Sequence, residues 1–150
     1  MAKVNVAQVV EASAEEVWKS WDDFGNIDKF HPALAGSHLL GEHATGVGAT
    51  RQCDMKDGNN HIRERIVEYV PKARMVIDIY AGTMPLKHTV ATLTLQPAGP
   101  NKTVVSMEMD FVPKFGLLGK LMTPIMKPQF RGLLKSLLEA NATHVQGMAA

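Results

Sequence analysis

The sequence predicts an α+β fold in which a curved antiparallel sheet of about seven strands wraps around a long C-terminal helix. Three observations support this prediction. A strand-like segment and two short helical segments open the chain, strand-like runs separated by turn residues fill positions 33–112, and an apolar helical period follows Pro113. With 150 residues, 45% of them apolar and 21% charged, the chain is expected to form one domain over 1–150.

The opening elements are a strand and two short helices. Apolar residues alternate along 3–11, which is typical of a half-buried strand. Ser13 and Glu16 have the spacing of a capping box at a helix start, and Pro32 marks the end of the second helix. The two helices are expected to direct five apolar side chains to the core: Val17, Trp18, Trp21, Ile27 and Phe30.

The rest of the chain predicts six further strands and then the long helix. Turn signals such as GVG at 46–48 and AGPN at 98–101 separate the strands. Pro128 suits the first turn of the main helix, which would run to Val145 over roughly 27 Å after a looser lead-in. A single helix cannot fill a strongly curved sheet, so we expect a cavity between them, as in the helix-grip architecture. The apolar face of this segment comprises Leu117, Leu118, Leu121, Met122, Ile125, Met126, Phe130, Leu133, Leu134, Leu137 and Leu138.

The Asp57–Gly58 pair is a two-residue hairpin signal that fixes the register of two strands. It places Arg51 opposite Glu64 and Cys53 opposite Ile62, and alternation then turns all four side chains inward. A charged pair on an apolar face is costly unless its partners are paired or hydrated. Two interpretations stay open, which are a structural ion pair near the cavity rim and a polar anchor for a ligand.

The same alternation predicts a cavity lined by methionine and aliphatic side chains. Methionine adapts to irregular apolar shapes, and few polar groups face inward, so the cavity suits an apolar or amphipathic small molecule. Simple core filling by methionine is the alternative. The inward set is Cys53, Met55, Ile62, Ile66, Ile77, Ile79, Thr89, Ala91, Met107, Met109 and Phe111 from the sheet, with Met122, Met126 and Phe130 from the helix.

Composition and motifs exclude several function classes. A formal net charge of +1 gives no electrostatic case for nucleic acid or for an acidic membrane surface. The single cysteine, Cys53, excludes an internal disulfide and a cysteine-based zinc cage. No metal-binding or nucleotide-binding motif stands in a fitting context, so no cofactor is expected. The chain lacks a signal-peptide pattern and a membrane span, which predicts a cytoplasmic protein without integral membrane association. We expect it to be a monomer or a homodimer.

Five segments, at 12–32, 46–51, 63–71, 84–89 and 103–111, carry a resemblance that covers nearly the whole chain. In them the chain resembles the SRPBCC superfamily of START, Bet v 1 and polyketide cyclase/dehydrase proteins, and within it the branch of plant abscisic-acid receptors and MxaD-type bacterial proteins.

The resemblance to that branch implies that His31 and Glu64 line a ligand cavity. It implies that the loop Ala81–Leu86, with Met84 and Leu86, closes over the ligand. Thr89 stands where the branch usually has a tyrosine, with Ala91 two residues further on, and the Asp57–Gly58 hairpin is much shorter than the receptors' gating loop.

Three functions are compatible with this sequence. The first is binding or carriage of a hydrophobic small molecule (a lipid, isoprenoid or polyketide-like compound), with its polar end near His31, Arg51 and Glu64. The second is a cyclase, aromatase or dehydratase in which His31 or Glu64 is the general acid or base. The third is an assembly partner with a vestigial cavity, which predicts an exposed apolar patch.

Overall fold

A computed structural model describes residues 2–84, 86–114 and 116–149. It confirms the predicted fold, in which a strand and two short helices precede six strands and a long helix. The elements are β1 (Ala2–Val10), α1 (Ala14–Asp22), a 3-10 helix (Phe24–Lys29), β2 (Leu34–Leu39), β3 (Thr50–Met55), β4 (His61–Val70), β5 (Arg74–Gly82), β6 (Leu86–Gly99), β7 (Lys102–Pro113) and α2 (Gly116–Ala149).

The seven strands form one antiparallel sheet in the order β1-β7-β6-β5-β4-β3-β2. Apart from the closing pair between β1 and β7, each strand pairs with its neighbour in sequence, as expected for a meander. The inner face carries the predicted alternating side chains, with Ile66, Leu93 and Phe111 fully buried. The C-terminal part of α2 covers this face through Leu137 and Leu138, so the core lies between sheet and helix.

The opening helices are locked to α2 by specific contacts. The Ser13 hydroxyl accepts a hydrogen bond of 3.2 Å from the Glu16 amide, which confirms the predicted cap. Trp21 donates from its indole nitrogen to Oδ1 of Asn141 over 3.1 Å, and its ring packs edge-on against Phe30. These contacts fix the end of the 3-10 helix, and therefore the position of the histidine that follows Phe30.

The predicted start of the long helix at Pro128 is wrong. α2 begins at Gly116 and runs for 34 residues, with Pro124 and Pro128 both inside it. Each proline removes one backbone hydrogen bond, but this stretch faces solvent, where water can satisfy the freed carbonyls. The leucines of the predicted lead-in are consequently exposed rather than packed on the sheet.

The hairpin between β3 and β4 has the predicted register, with Arg51 opposite Glu64, but its loop is longer than two residues. The Asp57 carboxylate accepts from the amides of Asn59 and Asn60, which keeps both amides out of the strand ladder. Gly58 adopts a φ of 79°, which favours glycine. The strands therefore end at Met55 and resume at His61.

Candidate functional site

A cavity of about 180 Å³ lies between the ends of β4–β7 and α2. Eight of the residues predicted to contact a ligand line it: Met55, Ile62, Ile79, Met84, Leu86, Thr89, Met109 and Phe130. Most of these side chains are apolar, and three are methionines. The cavity therefore offers mainly dispersion contacts and removal of apolar surface from water.

A bulge in β5 adds wall residues that alternation could not predict. Arg63 pairs with Ala81 while Glu64 pairs with Ile79, so Tyr80 is an extra residue in β5 and the alternation of faces breaks there. Ile79, Tyr80, Ala81 and Gly82 consequently all border the cavity. A Cβ atom on Gly82 would lie 2.6 Å from the backbone oxygen of His61, so this close strand approach requires glycine.

Three further wall residues were not predicted: Lys87, Lys114 and Leu133. The two lysines are exposed and stand at the mouth of the cavity. Pro85, within the predicted closing loop, lies outside the described residues.

Thr89 supplies a polar group in the cavity wall. The residue is only 2% exposed and belongs to the cavity lining, which is otherwise mostly apolar. A hydroxyl in an apolar wall gains free energy from any ligand group that bonds to it. Thr89 is thus a candidate contact for a polar atom of a ligand.

Arg51 and Glu64 form a closed, buried ion pair beside this cavity. Nε of Arg51 lies 2.8 Å from Oε1 of Glu64, and the two residues are 3% and 7% exposed. The guanidinium also donates to the carbonyl oxygen of Phe24 over 3.0 Å and stacks 3.8 Å above the Phe24 ring. The predicted charged pair on the inner face is present, and Phe24 of the 3-10 helix provides the remaining contacts of the guanidinium.

Cys53 completes the carboxylate's partners. Its thiol lies 3.3 Å from Oε1 of Glu64, to which it donates. Burial, and next the negative charge of Glu64, raise the pKa of the Cys53 thiol, although Arg51 opposes this. The thiol therefore stays protonated at neutral pH, which excludes it as a nucleophile.

His31 follows the 3-10 helix and stands near the ion pair. Its Nδ1 accepts a 3.2 Å hydrogen bond from the Ala33 amide, so the proton of the neutral ring is on Nε2. Burial lowers the pKa of His31 from 6.5 to about 4, and the positive charges of Arg51 and Lys56 act in the same direction against Glu64. At neutral pH this imidazole is uncharged, and its Nε2 is a hydrogen-bond donor.

The polar cluster (His31, Arg51, Cys53 and Glu64) lies beside the cavity wall, because directly opposed residues of neighbouring strands share one face of the sheet. Glu64 pairs across the sheet with Ile79, and Cys53 pairs with Ile62; both partners line the cavity. None of the four cluster residues lines the cavity itself. The structure thus brings the apolar wall and the charged pair together as neighbours on the inner face of the sheet.

The other predicted contacts are placed differently. Five belong to the packed core rather than to the cavity wall: Ile66, Ile77, Ala91, Met107 and Phe111. Met126 is partly buried against the core. Met122 is 47% exposed, so its predicted inward orientation is wrong. Before Phe130 the helix packs on the core through Met126 while most of its other apolar side chains are exposed, which the apolar period of the sequence did not reveal.

A second, wider groove of about 500 Å³ lies between α1, the 3-10 helix and the end of α2. Charged residues of both signs border it, including a Lys29–Asp23 ion pair at 3.5 Å, so it lacks the apolar character of the first cavity. Across residues 2–84, 86–114 and 116–149, no group of three or more His, Cys, Asp or Glu side chains is placed to hold a metal ion. Within the same ranges, no helix is long and apolar enough to cross a membrane.

Several solved structures share this fold. The protein XoxI from Bacillus cereus is 19% identical, with a TM-score of 0.82 and coverage of 100% of this chain and 99% of that one. A START superfamily protein from Mycobacterium smegmatis is 17% identical, with a TM-score of 0.82 and coverage of 97% and 98%. A point mutant of norcoclaurine synthase from Thalictrum flavum is 16% identical, with a TM-score of 0.77 and coverage of 99% and 96%. At these identities the likeness shows the fold alone.

Comparison of the sequence with protein families identifies the family as well as the fold. Among curated proteins, none matches the chain. A family model, however, matches residues 1–146 and is described as polyketide cyclase / dehydrase and lipid transport. The match spans the sheet, the cavity and nearly all of α2, and it agrees with the helix-grip architecture observed. The chain therefore belongs to the polyketide cyclase / dehydrase and lipid transport family, within the SRPBCC superfamily that its sequence resembles.

Proposed function

We propose that this protein binds or carries a hydrophobic small molecule, such as a lipid, isoprenoid or polyketide-like compound, in the cavity between the sheet and α2. The observation that carries the proposal is a largely apolar cavity whose wall includes one threonine, Thr89. Apolar walls with a few placed polar groups are typical of small-molecule sites. The family's description includes lipid transport, which supports the same class of ligand.

The volume of the cavity limits what it holds. At about 180 Å³ it is slightly larger than the engineered 150 Å³ protein cavities that bind benzene. One ring or a short acyl segment fills it, and a longer ligand extends through the mouth beside Lys87 and Lys114. The two lysines favour a ligand with an anionic or strongly polar end.

A cyclase or dehydratase acting in the same cavity is the less favoured function. Oε1 of Glu64 is already occupied by Arg51 and Cys53, and none of the polar cluster lines the cavity. His31 is neutral at pH 7 with its proton on Nε2, so it is a poor general acid there. The polar cluster is better suited to fixing the cavity wall than to proton transfer.

Methyl NMR of methionine-labelled protein tests the proposal, because Met55, Met84 and Met109 line the cavity whereas Met148 is 75% exposed. Toluene and benzyl alcohol are suitable probes because they match the cavity in size and differ by one hydroxyl. We expect both probes to shift the three cavity methyl resonances and to leave Met148 unchanged. The proposal fails if neither probe moves the cavity resonances.

Two variants sharpen this experiment. Ile62→Trp fills the cavity and should abolish binding of both probes, whereas Val67→Trp on the same strand faces solvent and should bind them normally. Thr89→Val removes only the hydroxyl. This variant should bind benzyl alcohol about fivefold more weakly, which is the equivalent of one hydrogen bond of ~1 kcal/mol, and its affinity for toluene should be unchanged. Organic extraction of protein from its native source, followed by mass spectrometry, would then identify the natural ligand.

A further inference from the structure

The first half of α2 presents an apolar surface to solvent. Between 116 and 129, Gly119 is the one buried residue. Leu117, Leu121 and Ile125 are 79%, 70% and 62% exposed, and their i, i+4, i+8 spacing puts them on one side of the helix. That side lies opposite the one that packs on the sheet further along the helix. We call it the projecting face, formed by Leu117, Leu118, Leu121, Met122 and Ile125.

The segment that carries the projecting face is rich in basic residues. From 111 to 138 the chain contains no aspartate or glutamate, but it contains five basic residues: Lys114, Lys120, Lys127, Arg131 and Lys135. None of the five takes part in an ion pair within the described part of the chain. Although the formal net charge of the whole chain is only +1, the segment 111–138 is strongly cationic.

Three lysines converge at the base of the projecting face. Lys87, Lys114 and Lys120 line a cleft of about 450 Å³ together with Val112, Pro113 and Gly116. None of the described residues that line this basic cleft is acidic. Lys87 and Lys114 also border the mouth of the apolar cavity, so the cleft and the cavity open on the same end of the molecule.

We infer that the projecting face and the basic cleft together form a docking surface for a bilayer that contains anionic phospholipids. The apolar side chains would enter the boundary between headgroups and acyl chains, and the lysines would contact lipid phosphates. A second copy of the chain fits this surface less well, because it would bring cations against cations. The inference does not depend on whether the cavity holds a ligand.

Co-sedimentation with large vesicles tests the inference. Wild-type protein should bind vesicles of phosphatidylcholine and phosphatidylglycerol at 7:3, bind pure phosphatidylcholine weakly, and dissociate as salt is raised. Lys120→Glu/Lys127→Glu should reduce the affinity at least tenfold, since each basic residue near an anionic surface is worth about fivefold. Leu117→Gln/Leu121→Gln should also reduce it at least tenfold, through lost apolar burial.

Two matched controls separate docking from general changes. Lys72→Glu/Lys102→Glu makes the same change in net charge at the opposite end of the sheet, where Lys72 lies between β4 and β5 and Lys102 begins β7. Val47→Gln/Val67→Gln removes exposed apolar surface elsewhere. Both controls should bind as the wild type does. The inference is overturned by failure to bind either vesicle, by equal binding to both, by equal loss in the controls, or by self-association or binding of an acidic protein at this surface without vesicle binding.

Discussion

The buried pair of Arg51 and Glu64 makes a quantitative prediction about stability. Glu64→Leu leaves a guanidinium 3% exposed without its counter-ion. Removing one member of a buried pair typically costs 3–5 kcal/mol. Arg51 keeps its hydrogen bond to the Phe24 carbonyl and its stacking on the Phe24 ring, so we expect about 3 kcal/mol, at the low end of this range.

The double variant Arg51→Met/Glu64→Leu behaves differently. It removes both charges together and replaces them with apolar side chains of similar volume, which is often neutral or stabilising for buried pairs. We expect its unfolding free energy to lie within about 1 kcal/mol of the wild type. Arg51→Met alone should lose about 3 kcal/mol at pH 7, because the carboxylate keeps only the thiol of Cys53 as a partner.

Urea denaturation of the wild type, the two single variants and the double variant measures this cycle. The expected coupling exceeds 3 kcal/mol. A Glu64→Leu variant that loses less than about 1 kcal/mol would refute the reasoning, since such values are typical of solvent-screened pairs. So would a double variant less stable than both single variants.

Three further predictions follow from the same contacts. Because the folded state keeps His31 neutral down to about pH 4 while the unfolded chain protonates it near 6.5, the unfolded state binds more protons in this window, and stability falls as pH is lowered through it. Between pH 7.5 and 5.0, the unfolding free energy of the wild type, measured by urea titration, should fall by about 2 kcal/mol more than that of His31→Asn. Cys53 should react with a thiol reagent only after denaturant is added, because burial and Glu64 raise its pKa. Leu138→Ala should cost 2–5 kcal/mol and Leu121→Ala less than about 0.5 by the same denaturation assay, since the first is 1% and the second 70% exposed.

The sheet could be predicted from the sequence because strands and turns are specified by patterns among residues close together in the chain. Alternation of apolar and polar residues fixes which side of a strand is buried, and one slip of register would reverse every side chain. The turn at Asp57–Gly58 set the pairing of Arg51 with Glu64, although its loop is longer than predicted. A period of two, together with one turn, was therefore enough to place two charged side chains inside an apolar face.

Features that depend on tertiary contacts could not be predicted in this way. The extra residue in β5 leaves no trace in the alternation, so Tyr80 was not expected at the cavity, whereas the family resemblance had implied a loop there that includes Ala81 and Gly82. Apolar residues recur along α2 from Leu117 to Leu138, but most of those before Phe130 are exposed and lie on the side of the helix opposite the sheet. Periodicity shows which side of a helix is apolar, but it cannot show where along its length a partner lies.

The two halves of α2 therefore have different roles: the second half stabilises the fold, and the first half forms the proposed docking surface. From Phe130 to Val145 the helix buries its apolar side chains on the sheet, and that burial stabilises the fold. Before Phe130 its apolar side chains other than Met126 face solvent, so substitutions of those exposed residues change the surface with little effect on the core. Because Lys114 borders both the basic cleft and the cavity mouth, docking through this surface would place the cavity opening against the bilayer. An apolar ligand could then pass between lipid and cavity with less exposure to water, which connects the proposed carrier function to the proposed docking surface through residues that the cleft and the cavity share, Lys87 and Lys114.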